Sequence, residues 1–143
     1  MNEEEYLTQR VDSQIEWYNK RSQFNQKCFK YLRIIEIVLA GSIPFLAGRS
    51  SKTGNPFQWL VGSFGLSITV IAGILSLYKF QENWIEYRST AESLKHEKYY
   101  FLTNTPPYIG ENRFVEFVSR IEQVISHENM VWAKNITSRI KEK

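Results

Sequence analysis

Glu36 is the residue whose chemistry most needs explaining. It is a carboxylate inside the apolar stretch 34–48, and Arg33 stands one helical turn before it on the same face. A charge at membrane depth is destabilising by on the order of a few kcal/mol unless it meets protein, water or a counter-charge. Two uses follow from that penalty: an Arg33–Glu36 pair near a locally thinned leaflet, or a carboxylate lining a water-filled cavity or pore that favours cations. Farther along, Arg88, Glu92 and His96 stand four apart, either as exposed helix pairs or as a polar network at the mouth of such a pathway.

Other candidate positions serve packing and movement. Gly62, Gly65, Thr69, Ala72 or Gly73, and Ser76 recur at three- and four-residue intervals, a stripe that lets helix backbones approach closely. Its partner is either the chain's own Ala40, Gly41 and Ala47 or another subunit. Pro44 marks a static kink or a gating hinge.

Catalytic groupings are not found. No Ser/His/Asp or Cys/His set, phosphate-cradling glycine loop or acid pair appears, so the reading is of a non-enzyme with no catalytic residues and no cofactor. His96 and His127 stand singly, without the spacing a metal site needs. Cys28 is alone, which excludes an internal disulfide and makes it a small packed hydrophobe. The acidic start MNEEEYLTQR lacks the apolar core of a signal peptide. Asn135-Ile136-Thr137 matches a glycosylation acceptor by chance, on the cytoplasmic side of the topology below.

The elements that must position these residues are dominated by Phe57–Tyr78, a run without a charged side chain and long enough to cross a bilayer as a helix. Aromatic residues mark its ends, Phe57 and Trp59 at one and Tyr78, Phe80 and Trp84 at the other. Asn55-Pro56 supplies a helix start, Lys79 stops the apolar run, and residues 48–56 form a polar turn. With the stretch 34–48 upstream, this is a transmembrane hairpin. Counting from Gly48 places Glu36 roughly 18 Å into a hydrocarbon layer of about 30 Å.

Lys20, Arg21, Lys27, Lys30 and Arg33 precede the first span, against Arg49 and Lys52 in the connecting turn, so both termini are expected in the cytoplasm. The net charge of +3 is concentrated where anionic lipid would attract it, and nothing calls for nucleic acid. The expected boundaries are a cytoplasmic helix over 1–30, spans over 31–50 and 57–78 joined by 51–56, a cytoplasmic continuation helix over 79–104, and a C-terminal cytoplasmic helix over 105–143.

Outside the spans the apolar spacing is helical. Leu7, Val11, Ile15, Tyr18, Phe24, Phe29 and Leu32 predict one long rod entering the first span. Phe80, Trp84, Tyr87, Ala91, Leu94, Lys98 and Phe101 form a coiled-coil-like seam continuing from the second. Pro106-Pro107 and Gly110 force a reversal. A last helix from about Glu111 to Ile140 turns Phe114, Phe117, Val118, Ile121, Val124, Ile125, Val131, Trp132 and Ile136 toward the others. The fold class is all-α: a two-span hairpin with a cytoplasmic three-helix bundle of long helices held by Trp17, Tyr18, Trp84, Tyr87, Arg88, Glu92, Leu94 and Trp132.

With these landmarks placed, the chain resembles the SLATT family, bacterial two-transmembrane domains associated with nucleotide-generating and nucleotide-sensing proteins of conflict systems. The resemblance rests on Arg10 and Trp17-Tyr18, then Ile43-Pro44, then Trp84, Tyr87-Arg88, Ala91-Glu92, Leu94-Lys95 and Glu97, and finally Phe117, Glu122 and Trp132. It implies a pore-forming or membrane-perturbing effector of antiphage defence in the bacterial inner membrane. The trigger would be a separate nucleotide-sensing or nucleotide-generating protein, or a small molecule. The expected function is thus a homo-oligomeric ion-conducting pore whose partners include membrane lipid. The rivals are a membrane-anchored helical scaffold that recruits a protein without conducting, and a soluble helical domain with a buried hairpin core.

Overall fold

The structure is a computed structural model; it describes the backbone of residues 2–49 and 57–141 and the side chains of 2–48 and 58–127. The described residues are helical and include no strand. The connecting turn, with Ser50, Ser51 and Asn55-Pro56, lies outside them, as do the side chains of Val131, Trp132 and Ile136.

The chain opens on α1, Glu3–Tyr6, where the Asn2 side-chain oxygen accepts the Glu5 N–H at 2.8 Å and three acids occupy the first turn. Both features satisfy the positive end of a helix. A π-helical segment, Leu7–Asp12, leads into α2, Ser13–Arg49. With no glycine before Gly41, α2 runs 37 residues and continues through Pro44 without a break. α3 spans Phe57–Tyr78, α4 spans Phe80–Leu102, and α5 spans Arg113–Lys141.

The continuation expected from the second apolar run into the seam is interrupted at one residue. Lys79 adopts a left-handed backbone, φ 47°, between α3 and α4. The Asn83 side-chain amide donates to the Tyr78 carbonyl at 3.0 Å, and the Tyr78 and Phe80 rings stack with centroids 5.4 Å apart. These contacts satisfy the polar groups at the junction and support a conformation that a non-glycine residue seldom adopts.

The chain divides into two compact units, one of Met1–Ser22 with Ile85–Lys143, the other of Gln23–Trp84. In the first, Val11, Ala91, Leu94, Tyr108, Phe117 and Ile121 are fully buried and Tyr18 and Phe101 nearly so. The rings of Phe101 and Phe117 stack at 4.3 Å, with Tyr6 edge-on to Phe117 at 6.1 Å and Tyr108 at 5.7 Å. Ala91, Leu94 and Phe101 are the apolar seam of α4, and Phe117, Ile121 and Ile125 the matching face of α5. The proline turn contributes too: Tyr108 is tucked into this core, and its N–H donates to the Thr105 carbonyl at 2.9 Å.

The second unit is built differently. From Tyr31 onward the half-buried positions of α2 are Leu32, Glu36, Leu39, Ser42, Ile43 and Leu46, and those of α3 are Val61, Phe64, Gly65, Ile68, Ile71, Ile74 and Leu75. Each set recurs every three to four residues, with adjacent pairs at Ser42-Ile43, Phe64-Gly65 and Ile74-Leu75, the spacing of one helix face. The remaining faces carry large apolar side chains in the open, among them Val38, Phe45, Leu66 and Leu77 at 60–74% exposure. Two helical stretches, Glu3–Gly48 and Gln58–Leu102, are long and apolar enough to cross a membrane, and 0% of either apolar window is buried within the chain.

Candidate functional site

The residue singled out by its chemistry is compensated. Glu36 lies on the half-buried face of α2, its side chain 16% exposed, and accepts a hydrogen bond from Arg33 at 2.8 Å. Arg33 itself is 56% exposed. The guanidinium therefore spans from open surface to a sheltered carboxylate and gives it a hydrogen-bonded counter-charge.

Hydroxyls in the same unit are spent on the backbone. Ser42 donates to the Val38 carbonyl at 2.7 Å, Ser63 to Trp59 at 2.8 Å, Ser67 to Ser63 at 2.8 Å and Thr69 to Gly65 at 3.0 Å. Such bonds to the preceding turn leave few unsatisfied polar groups, as a helix in hydrocarbon requires. The small-residue stripe falls mainly on the open side of α3: Gly62, Thr69, Gly73 and Ser76 are exposed, and only Gly65 is half-buried. A Cβ added at Gly41, Gly62, Gly65 or Gly73 would meet nothing within 4 Å, so no close helix approach within the chain uses these glycines. Ala40 and Ala47 are exposed as well.

The first unit carries a second constellation. Arg10 makes a two-pronged contact with Glu122, 2.9 Å to each oxygen, and the Tyr6 hydroxyl donates to the same carboxylate at 3.1 Å. The Arg10 hydrogen bonds hold the Glu122 carboxyl below its usual range. Burial first, then Glu122, pushes the Tyr6 hydroxyl up to about 12. Two further bridges tie the same amino-terminal segment down, Glu3 to Arg113 at 2.9 Å and Asp12 to Lys98 at 2.5 Å. Glu97 accepts from the buried Tyr108 hydroxyl and lies 3.7 Å from Arg120.

Of the residues that sequence reasoning placed in the bundle, Tyr18 and Leu94 are core. Trp17 is 44% exposed and stands edge-on to Tyr18 at 4.9 Å and Tyr87 at 5.9 Å. Trp84 is half-buried and belongs to the second unit. Arg88 and Lys95 both reach Glu92 at 3.1 Å, and the Lys95 hydrogen bond lowers the Glu92 pKa. The Tyr6–Arg10–Glu122 cluster was missed as a site because Glu122 lies more than a hundred residues in sequence from Tyr6 and Arg10. One signal was available: Lys98 occupies a seam position, and a half-buried ammonium there needs an acid such as Asp12.

Among the described residues no group of three His, Cys, Asp or Glu side chains could hold a metal ion. A hollow of about 750 Å³ along α5 is lined by Asn112, Val115, Glu116, Ser119, Arg120 and Gln123, and its charged members Glu116 and Arg120 are already paired at 3.5 Å.

The fold and these clusters define an all-helical protein with two candidate membrane-spanning helices and a separate salt-bridged unit. The chain belongs to the family of proteins of unknown function DUF4231, whose match covers residues 13–114. That stretch contains Arg33, Glu36 and the seam of α4, and it leaves out Tyr6, Arg10 and Glu122. No curated protein and no solved structure matches the chain.

Proposed function

We infer that this chain is a multi-pass protein of the bacterial cytoplasmic membrane that assembles with copies of itself into an ion-conducting, membrane-depolarising pore. The observation that carries the reading is the pair of apolar windows left unburied within the chain, which lipid or further copies must cover; the Arg33–Glu36 pair is the closed arrangement of the one carboxylate at that depth. A lone hairpin encloses no water, so conduction requires an oligomer. The open glycine stripe of α3 offers a surface on which a neighbouring helix can approach. With Arg33 and Glu36 paired, the carboxylate is neutralised; conduction past it calls for Arg33 to turn toward the aqueous side and leave Glu36 facing the pathway.

The resemblance to SLATT domains sets the biological frame. In that frame the chain is an effector of a bacterial defence system, held silent until a nucleotide-sensing or nucleotide-generating partner acts on the unit containing α5. Both termini lie in the cytoplasm under the charge bias around the first span.

A second reading is favoured by one observation, that the first unit closes its own core and its own salt bridges. In it the hairpin only tethers a recruiting module. The mass of the detergent-solubilised complex together with ion flux from loaded proteoliposomes separates the two. An oligomer that discharges an imposed potassium gradient supports the pore. A monomer, or an oligomer with no flux under any condition that leaves the helices folded, supports the tether.

A further inference from the structure

The geometry points to a binding site for the headgroup of an anionic phospholipid on the open face of α2, formed by Lys27 and Lys30 between Phe24 and Tyr31. It rests on reading the second unit as a membrane hairpin. Residues 24, 27, 31, 34, 38 and 45 recur at three-, four- and seven-residue steps and share one side of the helix. All are exposed: Phe45 at 68%, Val38 at 60%, Ile34 at 57%, Tyr31 at 67% and Phe24 at 59%, with Lys27 among them and Lys30 at its edge. From Val38 outward that face changes from aliphatic Val38 and Ile34 to Tyr31 and then to Lys30 and Lys27, the order in which a helix leaves a bilayer. Lys30 stands eighteen positions before Gly48, about 27 Å along a helix and close to the thickness of the hydrocarbon layer.

The two lysines also differ from the basic residues around them. Lys20 is paired with Glu16, Arg33 with Glu36 and Lys79 with Glu82, whereas neither Lys27 nor Lys30 has a carboxylate partner among the described residues. Two uncompensated ammonium groups one helical turn apart match a phosphate that carries net negative charge. A zwitterionic headgroup brings its own cation and leaves their charge unanswered. The acyl chains of a bound lipid would continue over Ile34 and Val38, which lie toward the membrane on the same face.

The test uses the full chain in neutral detergent micelles titrated with phosphatidylglycerol or phosphatidylcholine, with bound lipid counted by native mass spectrometry. The parent should prefer phosphatidylglycerol, and Lys27→Gln with Lys30→Gln should weaken that binding by about five-fold per lysine removed. Lys27→Arg with Lys30→Arg should restore it, and Lys95→Gln, on α4, should leave it unchanged. Glycerol phosphate, which has the headgroup and no acyl chains, should fail to compete. Equal binding of both lipids, a preference that survives in the glutamine variant, or full competition by glycerol phosphate overturns the site while leaving the hairpin reading intact. A parent that remains in the aqueous phase and does not enter vesicles overturns the hairpin reading and the site together.

Discussion

Leu94→Asp should disable the first unit, and the size of the effect follows from where Leu94 sits. The side chain is 0% exposed within a core that also buries Ala91, Phe101, Phe117 and Ile121. Truncating a buried leucine to alanine removes about 2–5 kcal/mol. Aspartate adds the desolvation of a carboxyl group, at least about 1–3 kcal/mol more even if it takes up a proton, and Lys98, one turn on, is already paired with Asp12. The total, about 3–8 kcal/mol, reaches the whole stability of a typical small domain. Urea denaturation of the detergent-solubilised chain, followed by Trp17 fluorescence and far-ultraviolet circular dichroism, should show loss of the unit's transition. Val115→Asp, at a position 69% exposed on α5, is the control and should shift stability by no more than about 0.5 kcal/mol. If Leu94→Asp behaves like Val115→Asp, then α4 does not pack through this seam and the described core is wrong.

Three further outcomes are expected. Glu122→Gln should lower stability at neutral pH by up to about 1 kcal/mol, a modest figure because both partners are over a third exposed and screened by solvent. Since Arg10 holds the Glu122 carboxyl below its ordinary 4.5, that contribution is present above this value and is lost as the pH falls through the depressed folded value. The gap between parent and variant in a thermal melt should therefore close in acid; a gap that persists unchanged at about pH 2 rules out the ionised pair as its source. Cysteine substituted at Ser50 or Ser51 should react with an impermeant thiol reagent added outside intact cells, and cysteine at Ser138 should not. Labelling at Ser138 from outside would reverse the proposed topology. Gly73→Leu should reduce the oligomer mass in detergent with little effect on helix content, because a side chain there meets nothing within the chain; an unchanged mass removes the stripe from the subunit contact.

The legible parts of this fold are those set by local spacing. The charge-free run 57–78 coincides with α3, because a stretch with no charged side chain and aromatic ends has few helical boundaries open to it. Ala91, Leu94 and Phe101, read from alternating steps of four and three, are buried together with Phe117 and Ile121 from α5. Arg33 and Glu36 are one turn apart, so their pairing was visible as an alternative before any tertiary contact was known. Contacts between distant segments were not legible. Arg10 could have found any of several acids, and its choice of Glu122 depends on how the amino-terminal segment lies on α5. Nor does any residue type announce the left-handed backbone of Lys79, which depends on the Asn83 amide bonding back to Tyr78. The glycine stripe was readable as a pattern, but its open placement depends on which face of α3 the rest of the unit covers.

The central claim is that an oligomer of this chain passes ions along a route that Glu36 borders. Purified parent protein in a planar bilayer under a potassium chloride gradient should carry current with a reversal potential displaced toward that of potassium, and Glu36→Gln should conduct with the displacement reduced. A conducting variant with an unchanged reversal potential takes Glu36 out of the ion route. No current from folded, oligomeric parent protein, under conditions that include its proposed partner, contradicts the pore itself.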